Sequence, residues 1–184
     1  GPGLKVGVCW RSAATKGERH RLYSQLTQWG GIFKVPGVHF VNLQYDECSE
    51  ELQEAEETFG VKIVVFPELD LRNDIDESAA LMVSLDLVIS AGTAVAEIAG
   101  ALGVNIWRTD PYGMWYEALG TDRMPWHPTM KLFTQPSHGD WDTPLALIGE
   151  ALKDKVLGTA SAVEFIQHPH GVEIAVDGSL NDLP

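Results

Sequence analysis

The sequence predicts an α/β fold: a Rossmann-like, doubly wound, mostly parallel six-stranded sheet with helices on both faces, followed by a C-terminal β-hairpin. Three observations predict it. Short apolar, β-branched runs alternate with amphipathic stretches of helical period. Hydrophobic residues make up 45% of the chain and charged residues 21%, which supplies a core and excludes a disordered chain. The length, 184 residues, suits one domain of ordinary size.

Val6–Trp10 reads as the first strand, and Leu22, Leu26, Trp29 and Phe33 recur at helical spacing before the Pro36-Gly37 turn. His39–Leu43 is the second strand. The acid-rich stretch Glu47–Phe59 predicts a helix that buries Leu52, Ala55 and Phe59 and turns its acids to water. Val61–Phe66 is a third strand, closed by Pro67. Asp74 with Glu77 resembles a capping box opening a helix through Leu85, with Ile75, Ala79 and Met82 on one face. Leu87–Ser90 is the fourth strand, Thr93–Leu102 a small-residue helix stopped by Gly103, and Val104–Trp107 the fifth strand. A long aromatic connection spans Asp110 to Pro128, Met130–Phe133 is the sixth strand, and Asp140 and Pro144 open a last helix. Val163–Ile166 and Val172–Val176 flank His168-Pro169-His170-Gly171 and predict the terminal hairpin.

Charge narrows the partners. Thirteen Lys and Arg stand against 26 Asp and Glu, a net charge of −13, which argues against a nucleic-acid or anionic-membrane surface. The two cysteines, Cys9 and Cys48, have no metal-ligand company and fit a reducing, cytoplasmic setting. No apolar stretch approaches a membrane span, and the N-terminus lacks the zones of a signal peptide. Gly1-Pro2-Gly3 looks like a protease-cleavage scar, so the organisation expected is a scar at 1–3, a folded domain at 4–157 and an extension with the hairpin at 158–184.

Ligands of an open α/β sheet bind outside the carboxyl ends of its strands, where strand order reverses. Three loops there stand out. The loop after the first strand holds Arg11, Lys16, Arg19 and Arg21, four of the 13 basic residues, and reads equally as an anion site or as a solvated loop. Around Gly92-Thr93-Ala94, small side chains open the next helix; they admit a phosphate to its free amides or only allow tight packing with Thr93 or Ser90 as cap. Glu97 lies one turn on, where a carboxylate repels phosphate unless it meets a hydroxyl or a basic side chain. The third segment, Asp110–Trp115 with Thr121–Pro128, suits a lid or a wall that stacks on a base or sugar, and equally a plug for the sheet edge or a contact with a neighbouring domain. Asp74 and Asp76 read as helix capping rather than a metal-binding pair, and His168 and His170 as turn residues, so no metal is expected. Neither GxGxxG nor GxxxxGK[ST] is present, and no Ser-His-Asp or Cys-His arrangement stands out.

Val6–Ser12, Pro36–Gln44, Leu85–Ser90 with Thr93–Ala96 and Ala99–Gly103, and Pro125-Trp126 with Met130–Phe133 and Gly139–Trp141 recur in an order that carries a family resemblance. Together they resemble the C-terminal domain of bacterial tetratricopeptide-repeat-linked glycosyltransferases, relatives of the heptosyltransferases and O-linked N-acetylglucosamine transferases. Trp10-Arg11-Ser12 and Gln44-Tyr45-Asp46 look most like proteins of flagellin glycosylation. The resemblance spans about Lys5 to Leu152. It implies the second of two facing domains of a GT-B enzyme, the half that binds a nucleotide-sugar donor without metal or cofactor, inactive on its own. The acceptor would be a protein such as flagellin, engaged by a separate N-terminal repeat region.

Residue by residue, the resemblance puts Arg11 and Ser12 by the donor phosphates with Lys16 or Arg19, and Gly92, Thr93 and Ala94 around the diphosphate. Glu68 and Leu69 would lie along the base, with Glu97 and Tyr112 as further base or sugar contacts. No catalytic residue is assigned, since the general base normally comes from the other domain. Related sequences commonly carry Asp at the position of Gly92 and His at that of Glu97. The departure implies a different donor, such as a cytidine-monophosphate-linked nonulosonic acid, or a non-catalytic interaction domain on the same scaffold.

Overall fold

The computed structural model describes residues 3–14 and 21–158. Six strands form one sheet: β1 (Leu4–Cys9), β2 (Val38–Asn42), β3 (Leu87–Ala91), β4 (Ile106–Asp110), β5 (Arg123–Met124) and β6 (His127–Thr134). Their order is β2-β1-β3-β4-β6-β5, with all pairs parallel except β5 on β6. Order reverses between β1 and β3, which places the switch point of the doubly wound sheet at Cys9 and Ala91.

Alternation along the strands builds two cores. Val6, Val8, Trp10, Leu87, Ile89 and Phe133 face one way, under α1 (Gly30–Phe33), α2 (Ser49–Phe59) and α5 (Asp142–Leu157). Cys9, Val88, Ile106, Met130 and Leu132 face the other, under α3 (Ile75–Val83) and α4 (Ala94–Ala101). Both faces are covered, and the central strand β3 is buried along its whole length. In α4, Ala96 and Ala99 are fully buried, and small side chains let the helix lie close on the sheet.

The structure corrects four expectations. Val61–Phe66 is not a strand: Val64 alone bridges Val41, accepting from the Asn42 N–H and donating to the Phe40 carbonyl, each at 2.8 Å. At the sheet edge only Ile63 is buried, and the two-residue β5 supplies the sixth strand instead. Leu22–Phe33 is not one helix. A 3-10 turn at Leu26–Trp29 runs into the single α-turn of α1, and the break lies before them, where Gln25 is extended and Leu22 is left exposed. Gly30 has a packing reason, since a Cβ there would stand 2.6 Å from the Phe59 ring. In α3, Ser78 and Met82 are buried while Ile75 is exposed. The acids of α2 do not all face water, as Glu51 turns back to the sheet. The Asp74 cap is present, accepting from the Glu77 N–H at 2.9 Å. The C-terminal hairpin, with His168 and His170, lies outside the described residues.

Candidate functional site at the carboxyl edge of the sheet

The end of β1 is tied to the loop after β2 and to α2 by partly buried polar contacts. The Trp10 indole donates to Glu51 at 2.7 Å. Arg11 reaches Asp46 through Nη1 at 2.5 Å and Glu51 through Nε at 2.9 Å and through Nη2, while Nη2 also donates to the Glu47 carbonyl at 3.0 Å. Gln44 closes the group, donating to the Arg11 carbonyl at 2.9 Å and to Asp46 at 2.6 Å. Hydrogen bonding to Glu51 first, then Asp46, outweighs burial and holds the guanidinium protonated well above its usual range. Arg11 therefore stands at the site with its charge already matched by two carboxylates. Ser12 is beside it, accepting from the Tyr45 hydroxyl at 3.3 Å and from the Ala14 N–H at 3.2 Å. Lys16 and Arg19 lie outside the described residues.

Across the switch point, Thr93 leads into α4 in extended conformation, and its side chain caps no helix N–H. Its hydroxyl instead sits 3.4 Å from Ser90 Oγ and 3.7 Å from the Cys9 thiol. Burial pushes that thiol up to about 11, so it is a neutral, inert group at this site. The Thr93 N–H is used by the Ala91 carbonyl at 2.7 Å. Geometry leaves the N–H groups of Ala94 and Val95, at the start of α4, without an intrahelical acceptor.

Beside this turn lies a charged group that the sequence reading missed. Arg108, on β4, donates through Nε to Asp110 at 2.8 Å, through Nη1 to Glu97 at 2.7 Å and through Nη2 to the Tyr116 hydroxyl at 3.3 Å. The second oxygen of Glu97 meets His127 Nε2 at 3.0 Å. Two glycines make room. A Cβ at Gly92 would fall 2.8 Å from Arg108 Nη2, and one at Gly100 would fall 2.6 Å from the His127 ring. Burial raises the Asp110 carboxyl despite the opposing charge of Arg108, and burial, then Asp110, raises Tyr116. The signal was present in Ile106–Asp110: Arg and Asp alternate on one face of an otherwise buried strand.

The remaining predicted residues separate into two places. Leu69 lines a cleft of about 530 Å³ with Gln44, Tyr45, Asp46 and Phe66, near the end of β2, and Glu68 is exposed on the same loop. Tyr112 lines a different cleft of about 1150 Å³ over the ends of β4 and β6, where it meets His138 edge to face at 5.0 Å. No cluster of three or more His, Cys, Asp and Glu suited to a metal occurs among the described residues. No helix among them is long and apolar enough to cross a membrane.

No family model matches the chain. Protein FlbA of Caulobacter vibrioides is 39% identical over 154 residues, covering 84% of this chain and 26% of that protein. Three solved structures share the fold. E. coli heptosyltransferase WaaC with ADP matches at TM-score 0.54 and 15% identity, covering 86% of this chain and 45% of that one. The same enzyme with ADP-2-deoxy-2-fluoro heptose matches at 0.56 and 16%, over 86% and 44%. A glycosyl transferase family 9 structure from Veillonella parvula matches at 0.56 and 14%, over 85% and 46%. The chain thus has the Rossmann-like α/β fold of just under half of a glycosyltransferase, and spans about a quarter of its curated relative.

Proposed function

We propose that this chain is the donor-binding half of a glycosyltransferase, holding a nucleotide sugar whose phosphates lie at the start of α4. One observation carries the reading: the amides of Ala94 and Val95 lack an intrahelical acceptor at the switch point, next to the end of β1, where Thr93 meets Cys9, in a fold shared with just under half of an ADP-bound transferase. Gly92, Thr93 and Ala94 shape the cradle, and Ser12 adds a hydroxyl. Lys16 and Arg19 would supply the cations. Arg11, matched by Asp46 and Glu51, then acts by fixing the β1 loop rather than by neutralising phosphate. Glu68 and Leu69 border the place for the base. Amides and side chains stabilise the leaving phosphate as charge develops, with no metal required. A protein acceptor, flagellin being the candidate, and a facing domain would come from outside the chain, in the cytoplasm.

Thermal melting with uridine, guanosine, adenosine and cytidine nucleotides and their sugars tests the reading. A ligand at ~100 times its Kd adds ~2.7 kcal/mol, or roughly 5–10 °C in a domain of this size. Thr93→Arg, which fills the cradle, is expected to abolish the shift. No shift across the panel overturns the proposal. A second reading, a non-catalytic docking domain, is favoured by the exposed Trp115 and Trp126, stacked at 5.7 Å on the loop before β6. A flagellin pull-down without any nucleotide response would select it.

A further inference from the structure

We propose that the free edge of the sheet at Val61–Phe66 is a docking site for the chain's own C-terminal segment, Val163–Val176, which adds there as a β-hairpin. The inference is independent of the donor-binding reading. At Val64 the backbone is fully used: its N–H donates to the Phe40 carbonyl and its carbonyl accepts from the Asn42 N–H, each at 2.8 Å. In an extended chain the backbone groups of successive residues point to opposite sides, so those of Ile63 and Val65 point away from β2. Among the described residues they pair with nothing. Val64, Val65 and Phe66 are exposed beside them, Lys62 is the one charge in the run, and Pro67 closes it. An edge that is apolar and unpaired is a template for another strand.

Position, direction and hand select the occupant. The last turn of α5 lies at the amino edge of the sheet, where a Cβ on Gly37, the residue before β2, would stand 3.4 Å from Val156 Cγ1. Val38, Val61 and Val156 pack on the same core. The segment, which lies outside the described residues, therefore starts within reach of the edge. Five residues from Gly158 to Val163 span up to ~17 Å, against ~10 Å for two strand spacings beyond β2. A strand entering from the amino edge runs parallel to Val61–Phe66. The crossover has the favoured hand: β1 to β2 steps toward this edge over α1, and α5 covers the same face, so β6 through α5 to the edge turns in the same sense. The sequence fits the slot. Val163 and Phe165 flank Glu164, and Val172 and Ile174 flank Glu173, the alternation of a half-buried hairpin. The four residues Val163–Ile166 match an edge that Pro67 ends. The tether also holds the segment at an effective concentration in the ~mM range, which a second copy lacks. Val65 and Phe66 line the cleft of about 530 Å³, so the docked hairpin fixes one wall of it.

Amide hydrogen exchange in the whole chain, followed residue by residue by NMR, tests the docking. The Ile63 and Val65 amides are expected to exchange at least ~10-fold more slowly than unprotected amides. In the variant Val163→Asp with Phe165→Asp both are expected to lose that protection. The Ile89 amide, in β3 between β1 and β4, reports that the variant is folded. Phe165→Pro, which removes a strand N–H, gives the same direction if the double variant fails to fold. Unprotected Ile63 and Val65 amides in the whole chain, or protection that survives in the folded variants, overturns the proposal. Protection that grows with protein concentration assigns the edge to a second copy and overturns it as well.

Discussion

Gly92→Ala isolates the reason a glycine stands at the start of α4. Gly92 is not among the residues with positive φ, so alanine meets no backbone strain there. Its Cβ would stand 2.8 Å from Arg108 Nη2, 3.2 Å from Nε and 3.3 Å from Cζ, against an ordinary contact that begins at 3.4 Å. The guanidinium must retreat by 3.4 − 2.8 = 0.6 Å. It is held by Asp110 at 2.8 Å and Glu97 at 2.7 Å, so retreat stretches two charge-assisted bonds together. Overpacking of this kind costs ~1–3 kcal/mol, offset by the ~0.4–1 kcal/mol that alanine gains from a stiffer unfolded chain. The expected net loss is ~1–2 kcal/mol.

A neutral background reverses the sign. With Arg108→Gln and Asp110→Asn introduced together, the buried pair is removed without orphaning either charge. Gly92→Ala added to that background is expected to cost nothing or to stabilise by up to ~1 kcal/mol. Urea unfolding of the four proteins gives both differences, read from midpoints at constant m. A cost of Gly92→Ala that is equal in the two backgrounds within ~0.5 kcal/mol refutes the argument that Arg108 dictates the glycine.

Gly149→Ala tests a backbone contact. Alanine gains ~1 kcal/mol of helix propensity in α5, yet its Cβ would lie 3.2 Å from the Gly31 carbonyl oxygen, which cannot swing aside. A lower Tm is expected, and a Tm at or above wild type refutes the contact. Thiol burial makes stability depend on alkaline pH. Cys9 is pushed up to about 11 and Cys48 up to about 12, whereas an unfolded thiol ionises near ~8.5. Below ~8.5 both states hold the proton and the contribution is intact; above it the unfolded chain loses protons first, and stability falls by up to ~1.4 kcal/mol per pH unit per thiol until the folded value is reached. The stability difference between wild type and Cys9→Ala is expected to shrink or reverse between pH 8 and 10.5, and a pH-independent difference refutes it.

Strands β1 and β3 were legible because their buried stretches Val6–Cys9 and Leu87–Ala91 carry no charged residue, whereas β4 was legible only at Ile106 and Trp107, since Arg108, Thr109 and Asp110 continue it. Val61–Phe66 is nearly as apolar and is not a strand. An apolar run does not say whether it has a neighbour on each side, and here Val64 meets only Val41. Gly30 lies within the helical spacing from Leu22 to Phe33 and was not legible as the residue that admits the Phe59 ring, because that contact joins positions remote in sequence.

The site divides along the same line. The loops after β1 and β3 were legible because sheet topology alone places them at the switch point. The electrostatics there were not, because each deciding partner is remote in sequence or on another element. Arg11 looked like a phosphate ligand from its basic neighbours, whereas its partners Asp46 and Glu51 lie 35 and 40 residues away. Gly92 and Glu97 looked like two independent departures from the pattern the sequence resembles. Arg108 joins them: the guanidinium fills the space that a side chain at 92 would take, and Glu97 is one of its two carboxylate partners, with His127 on the other oxygen. An acid placed at 92 would clash with Arg108 sterically while pairing with it electrostatically, and a histidine at 97 would leave Nη1 without its carboxylate. Neither substitution is therefore neutral alone, and an acid at 92 combined with a histidine at 97 requires a change at 108 as well.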